Sequence, residues 1–203
     1  MKPTNIHPVF HQILTRADKE KFLNQRACVI WMTGLSGSGK TTIARNIELE
    51  LNRRGHLTQV LDGDNIRTGI NNNLGFTEED RLENIRRIAE VSKLFVHCGI
   101  ICINSFISPT REIRNMARSI IGEEDFIEVH INAPLEVCEQ RDVKGLYKKA
   151  REGKIKNFTG IDAPFETPES PAIELKTGEL SIPQCVEQAM EVLGPRVSYV
   201  GGE

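Results

Sequence analysis

The sequence predicts an α/β fold: a five-stranded, mostly parallel sheet with helices on both faces. Three observations carry that expectation. Short apolar runs alternate with amphipathic helical segments along the chain, the pattern of a parallel sheet covered on both sides. The runs at 27–32 and 100–105 are almost continuously apolar, as strands buried on two faces must be. The first of them leads directly into a glycine-rich loop and then a helix.

That loop is Gly34, Leu35, Ser36, Gly37, Ser38, Gly39, Lys40 and Thr41, a full match to G-x-x-x-x-G-K-[ST]. Gly34, Gly37 and Gly39 can adopt the backbone angles that turn successive N–H groups onto phosphate oxygens. Lys40 has the reach for the β/γ-phosphates, the Thr41 hydroxyl suits Mg²⁺, and Thr42 follows in the same first helical turn. The helix aims its positive end at the same anion. Strand, loop and helix together predict ATP binding on a P-loop NTPase-type three-layer fold.

The helix after the loop spans about 40–54, with Ile43, Ile47 and Leu51 on one face and Gly55 ending it. A short second strand, 57–61, delivers Asp62-Gly63-Asp64 at its C-terminal edge. Thr77 with Asp80 resembles a capping box for a long helix to about residue 97, after which Gly99 turns the chain into the third strand, 100–105. Pro109 fits the first turn of a helix ending near Gly122. A fourth strand covers 126–131, Pro134 opens another helix, and 141–160 carries seven basic residues against two acidic ones. Residues 163–171 read as a proline-rich loop, 173–175 as the fifth strand, and 182–193 as a closing helix with Ser181 as cap and Pro183 in its first turn. The organisation expected is an N-terminal arm, docked or partly disordered, over 1–26 and a single domain over 27–196. A helical basic lid lies within it at about 141–162, and a tail covers 197–203.

Composition narrows the function. The 203 residues suffice for one well-buried core, and 39% hydrophobic with 27% charged residues is ordinary for a globular protein. A formal net charge of −2 provides no global field for nucleic acid. The five cysteines are scattered without a C-x-x-C pair, which reads as reduced thiols, and His7 and His11 stand four apart without a second ligand pair, which argues against a zinc site. The first 27 residues are charged throughout and lack an apolar signal-like core. The uncharged stretch of 17 residues at 94–110 contains His97, Gly99 and Asn104 and reads as a helix end, a turn and a strand rather than a membrane span. A cytoplasmic protein with no membrane partner is expected.

A phosphate loop serves switches, motors and small-molecule kinases alike, so the remaining residues must decide. No Asn-Lys-x-Asp element follows a later strand, which disfavours a GTPase. Asp62 and Asp64, with Asn65, Ile66 and Arg67 after them, sit at the strand edge where ligands bind in open α/β sheets. One carboxylate there can take a proton from an attacking hydroxyl while contacting the metal shell. A bare turn with a helix-capping aspartate is the competing reading. Arg81 and Asn84 share a helix face, and an arginine fork suits sulfate or phosphate, although neighbouring glutamates make surface pairing an equal reading. Ile107 and Ser108 follow the third strand, where Ser108 either contacts substrate or caps the helix. In the basic stretch, Arg141, Lys144 and Arg151 can close over phosphates, or can be a solvated helix face.

Seven segments together resemble the adenylylsulfate kinase family. They are GLSGSGKT at 34–41, LDGDNIR at 61–67, LGF at 74–76, DRLENIRRIAE at 80–90, SFISP at 105–109, CEQRDVKGLYKKAR at 138–151 and FTGID at 158–162. The resemblance runs from about residue 28 to 193, and its 138–162 part is far more specific than the phosphate loop. It implies transfer of the ATP γ-phosphoryl group, with Mg²⁺, to the 3′-hydroxyl of adenosine 5′-phosphosulfate. The products would be ADP and 3′-phosphoadenosine 5′-phosphosulfate (PAPS), in sulfate assimilation. It implies a homodimer, Asp62 as the base or orienting group beside Thr41 at the metal, and Arg141 and Arg151 on ATP. It further assigns Asp64, Asn65, Ile66, Arg67, Arg81, Asn84, Ile107, Lys144 and Asn157 to the acceptor, with Phe76 and Phe158 sandwiching its adenine. Ser108 matches the serine that the family describes as a phosphorylated intermediate, although direct in-line transfer requires only positioning and charge stabilisation. Thr110 and Ile113 depart from the pattern, which usually has an aromatic and commonly an acidic residue there.

Overall fold

A computed structural model of the chain describes residues 7, 9 and 12–200; much of the expected arm, and His11 with it, lies outside the described residues. In chain order the elements are α1 Arg16–Leu23, β1 Val29–Thr33, α2 Lys40–Arg53, β2 Thr58–Asp62, α3 Gly63–Arg67, α4 Glu78–His97 and β3 Ile101–Ser105. There follow α5 Arg111–Ile121, β4 Phe126–Asn132, α6 Leu135–Arg141, α7 Leu146–Arg151, β5 Ile173–Lys176 and α8 Ile182–Val197. The five strands form one sheet in the order β2-β3-β1-β4-β5, and every pairing is parallel.

Register is what positions the site. Asp62 pairs with Ser105 and Ser105 pairs with Met32, so β2, β3 and β1 all end at the same edge, directly below the phosphate loop. The central strands β1, β3 and β4 are buried on both faces, whereas the edge strands β2 and β5 keep one side partly exposed. Ile30, Ile103 and Val129 pack toward α2 and α8, whereas Trp31, Cys102 and Phe126 pack toward α4 and α5. The period-two alternation of strand side chains therefore yields a core on each side and the continuous apolar runs seen in the sequence.

Several local expectations shift. The helix after β3 begins at Arg111, with the Thr110 hydroxyl accepting the Ile113 N–H at 3.3 Å, so Pro109 precedes the cap and Ser108 is not one. Ser108 has a left-handed φ of 38° instead, outside anything its helix-capping reading allows. Thr77 caps α4, but Asp80 reaches back to the Gly75 N–H at 2.9 Å, which closes the 74–76 turn in place of a full capping box. The competing reading of a helix-capping aspartate is met in part: Asp62, not Asp64, caps a short helix, α3, by accepting the Asp64 N–H. The closing helix continues to Val197 because Leu193 and Val197, one turn apart, are both fully buried. Helix α1, unforeseen, is tied down by Arg16, which donates to both Asp125 carboxylate oxygens and to the Ala27 carbonyl. Cys28, Cys102, Cys138 and Cys185 are buried free thiols, and Cys98 is an exposed one.

Candidate active site

The loop between β1 and α2 is shaped by close contacts that only glycine tolerates. A Cβ on Gly34 would lie 2.5 Å from the Ile131 carbonyl oxygen, and one on Gly37, at φ 73°, would lie 2.9 Å from that of Cys138. Carbonyls of the loop are held from outside. The Tyr147 hydroxyl donates to Ser36 at 2.8 Å, and Thr177 Oγ1 donates to Ser38 at 2.6 Å. Arg141 reaches the carbonyls of Gly37 and Ser38 at 3.4 Å each, and that of Thr177 at 2.6 Å. The Ser38 hydroxyl is buried with no hydrogen-bond partner among the described residues.

Lys40 folds back over the loop, its Nζ donating to the Gly34 and Leu35 carbonyls at 3.0 and 2.7 Å. Burial brings its pKa down to about 8, against a smaller opposing pull from nearby groups that include Asp62. Thr41 donates its hydroxyl proton to Asp62 Oδ2 at 2.7 Å, and Asp62 Oδ1 accepts the Asp64 N–H at 3.0 Å. The Thr41 oxygen thus keeps lone pairs for a hard cation, with a carboxylate beside it, and this oxygen-only pair fits Mg²⁺, which takes few protein ligands when phosphates supply the rest. Among the described residues no group of three or more His, Cys, Asp and Glu side chains is placed to hold a metal.

From the loop a single cavity of about 1080 Å³ runs past Asp62 to a second polar–aromatic end. There the Arg67 guanidinium lies 4.4 Å above the Phe76 ring and donates to the carbonyls of Leu74 and Gly75. Arg81 ties this turn to the segment after α7, donating to Phe76 O at 3.0 Å, Thr159 Oγ1 at 3.1 Å and Asn157 O at 2.6 Å. Phe158 meets the Tyr147 ring edge-on at 5.0 Å, and Lys144 pairs with Asp64 across the cavity mouth. Ile107 and Ser108 close the floor beside the end of β3.

The family model described as adenylylsulphate kinase matches residues 26–176, most of the chain. The chain belongs to the adenylylsulfate kinase family. It is 62% identical over 194 residues to an adenylyl-sulfate kinase of Bacteroides fragilis, covering 96% of both chains. To adenylyl-sulfate kinase 3 of Arabidopsis thaliana it is 55% identical over 178 residues, covering 88% of this chain and 86% of that one. Among solved structures, the APS kinase of Mycobacterium tuberculosis in complex with AMPPNP and APS superposes with a TM-score of 0.80 at 43% identity, over 83% of this chain and 98% of that one.

Not every expected residue of this adenylylsulfate kinase family member reaches the cavity. Lys40, Thr41, Thr42, Asp62, Asp64, Arg67, Phe76, Arg81, Ile107, Ser108, Arg141, Lys144 and Phe158 line it, with Ser36, Gly37 and Gly39 of the loop. Gly34, Leu35 and Ser38 lie within the loop but not on the cavity wall. Ile66 turns into the core with α4 and α5, and Asn65 stays on the outer side of α3. Asn84 shares a helix face with Arg81 but is buried one turn further on, its Oδ1 accepting from Asn71 at 2.9 Å. Asn157 contributes only its carbonyl, to Arg81. Arg151 points away and pairs with Glu139 at 2.7 Å. Sequence reasoning passed over Trp31, Tyr147, Thr159 and Thr177, and also Arg114. Arg114 carries the clearest missed signal, because it stands beside Ile113 on the apolar stripe of its helix.

Proposed function

We propose that the chain transfers the γ-phosphoryl group of ATP to the 3′-hydroxyl of adenosine 5′-phosphosulfate, forming ADP and PAPS for sulfate assimilation. The observation that carries this reading is one continuous cavity with a polyphosphate cradle at one end, two Phe–Arg groupings at the other and Asp62 between them. Phe76 and Phe158 offer faces to an adenine, and Arg67 and Arg81 offer forks to a phosphosulfate. Asp62 orients the acceptor hydroxyl and receives its proton, since its oxygens retain lone pairs beyond the bonds to Thr41 and Asp64. Lys40 follows the charge moving onto the β/γ-bridge, while Arg141 and Lys144 belong to a lid over about 141–162 that excludes water. Thr41 and Asp62 would hold Mg²⁺, which when bound neutralises charge on the β- and γ-phosphates. Ser108 is assigned to acceptor positioning, because its Oγ already accepts the Trp31 indole N–H at 3.1 Å within a nearly closed environment.

The test is a coupled ADP-release assay with MgATP and either adenylylsulfate, AMP, adenosine or gluconate, with PAPS detected by chromatography. Turnover restricted to adenylylsulfate is expected. Turnover with gluconate instead would keep a kinase and overturn the acceptor. The family resemblance supports a homodimer and a cytoplasmic location; light scattering of the purified protein tests the first.

A further inference from the structure

Beneath the Ser108 edge lies a buried ion pair whose own side chains do not line the cavity. Arg114 on α5 is 2% exposed, and its Nε pairs with Glu128 of β4 at 2.9 Å. Its other two nitrogens do not complete a bidentate grip on that carboxylate. One donates to the Ser108 carbonyl at 2.9 Å, the other to the Glu166 carbonyl at 2.7 Å. Glu128 spends its second oxygen on Arg118 at 3.0 Å, so the carboxylate is balanced without Arg114 being drawn off its two carbonyls.

The first carbonyl belongs to the floor of the acceptor end, and the second to the loop that continues from its Phe158 wall. Ser108 holds a left-handed φ of 38°, and it is fixed from its other side by the Trp31 indole and by Thr33, whose hydroxyl lies 2.7 Å from the Ile107 carbonyl and 3.3 Å from that of Ser108. Glu166 stands in the loop that returns from Phe158 and Thr159 toward β5, and it is pinned to the same corner: its N–H reaches the Pro109 carbonyl at 2.8 Å and its carboxylate the Arg111 N–H at 2.7 Å. A guanidinium can serve three directions from one rigid plane, which an ammonium cannot. A merely structural ion pair in this position would need only Glu128.

We infer that Arg114 is a positioning residue for the acceptor: it locks the Ser108 backbone and the 163–171 loop to one another and so sets the distance between the floor of the acceptor pocket and the wall that carries Phe158. The inference rests on the reading of that end as the acceptor site. It places Arg114 in no contact with either substrate, and it leaves the donor end out of its reach, since the loop carbonyls are held by Arg141, Thr177, Tyr147 and Lys40.

The test uses Arg114→Lys, which keeps a buried cation beside Glu128, whereas Arg114→Met would leave one oxygen of that buried carboxylate unpaired. Steady-state kinetics with each substrate varied in turn are read beside amide hydrogen exchange across the chain. The expected result is a 10- to 100-fold rise in KM for adenylylsulfate or fall in kcat, in line with the roughly 10²-fold cost of small misplacements, while KM for ATP stays within about twofold. Exchange should accelerate at 105–110 and 163–171 but not in β1. Arg67→Ala, whose side chain lines the cavity itself, is measured in parallel. If Arg67→Ala weakens the acceptor and Arg114→Lys leaves kinetics and exchange unchanged, the positioning role is wrong and the acceptor reading stands. If Arg67→Ala leaves the acceptor KM unchanged, the acceptor reading fails and the role of Arg114 fails with it. An equal loss for both substrates, matching a lower folded fraction, reduces Arg114 to a structural residue and overturns the inference.

Discussion

The two ends of the cavity are built on different principles. The donor end is one uninterrupted stretch, 34–41, folded back on itself so that backbone groups and the Lys40 and Thr41 side chains converge there. The acceptor end is assembled from five separate segments, at 62–67, 74–81, 105–108, 144–147 and 157–159, held together by side chains that cross between them. A site made from contiguous backbone tolerates substitution around it but not within it. A site made from converging side chains loses its parts one at a time. The consequences of mutation should therefore be steep and concentrated at the first end and graded at the second.

The largest effect is expected where the two ends meet. Asp62→Ala should lower kcat by about 10²–10⁴ if Asp62 takes the proton of the acceptor hydroxyl, with AMPPNP binding largely kept because Lys40 and the loop glycines are untouched. Single-turnover measurement of PAPS formation reads this directly. Turnover near that of the unaltered protein would detach Asp62 from the chemistry and leave it the partner of the Thr41 hydroxyl and the Asp64 N–H.

At the acceptor end the aromatic pair should behave differently. Phe76 is 67% exposed on a turn, whereas Phe158 is braced by Tyr147, so the two faces are not equally pre-organised. Base–aromatic stacking is worth about 1–3 kcal/mol, or roughly 5- to 150-fold in binding. Phe158→Ala should sit toward the upper part of that range in KM for adenylylsulfate and Phe76→Ala toward the lower, with KM for ATP unchanged in both. A matching change in the ATP parameter would mean that the two ends are not separable and would break the comparison.

Legibility in the sequence follows the same division. The donor end could be read outright, because its chemistry is local: Lys40 and Thr41 are where the spacing from Gly34 puts them, and β1 and α2 flank them as the hydrophobic pattern requires. Acceptor residues could be named one by one through resemblance, but not their directions. Arg81 and Asn84 are three apart on one helix, yet α4 rotates Asn84 under Asn71 and leaves only Arg81 at the cavity. Arg151 lies in the basic stretch and is indistinguishable there from Arg141, because what separates them is Glu139, one turn of another helix away. The Arg114–Glu128 pair has no local signature at all beyond an arginine on an apolar stripe; its partners come from β4, the Ser108 turn and the 163–171 loop. Sheet order is likewise long-range information, fixed by which strands pair rather than by any single run of residues.

The donor end also carries a pH signature. Burial places the Lys40 pKa near 8 in the free protein, below its ordinary 10.5. Between those two values the unfolded chain binds a proton that the native one does not, so this group makes the free fold more stable as pH rises across that window and contributes no slope below it. Polyphosphate reverses the preference by favouring the charged ammonium. AMPPNP binding should then take up about half a proton at pH 8 and almost none at pH 6, and affinity should fall as pH rises beyond 8. Calorimetry in two buffers of different ionisation enthalpy measures the uptake. Binding at pH 8 with the same heat in both buffers would mean that Lys40 is already charged before the nucleotide arrives.

The smallest effect is the one that separates the two arginines of the basic stretch. Arg141 braces three carbonyls at the donor end, and two of them, from Gly37 and Ser38, belong to the loop itself. Its loss should free the loop to relax and raise KM for ATP about tenfold, the scale of one charge-assisted hydrogen bond. Arg151 is largely solvent-exposed and paired with Glu139, and exposed pairs contribute between about 0 and 1 kcal/mol. Arg151→Ala should therefore leave KM for ATP within about twofold and move the melting temperature little. A large rise in KM for Arg151→Ala would mean that the segment around α7 swings inward on nucleotide binding, exchanging the Glu139 pair for phosphate. The donor end would then draw on a distant side chain, as the acceptor end does, and the contrast between them would belong to the free protein alone.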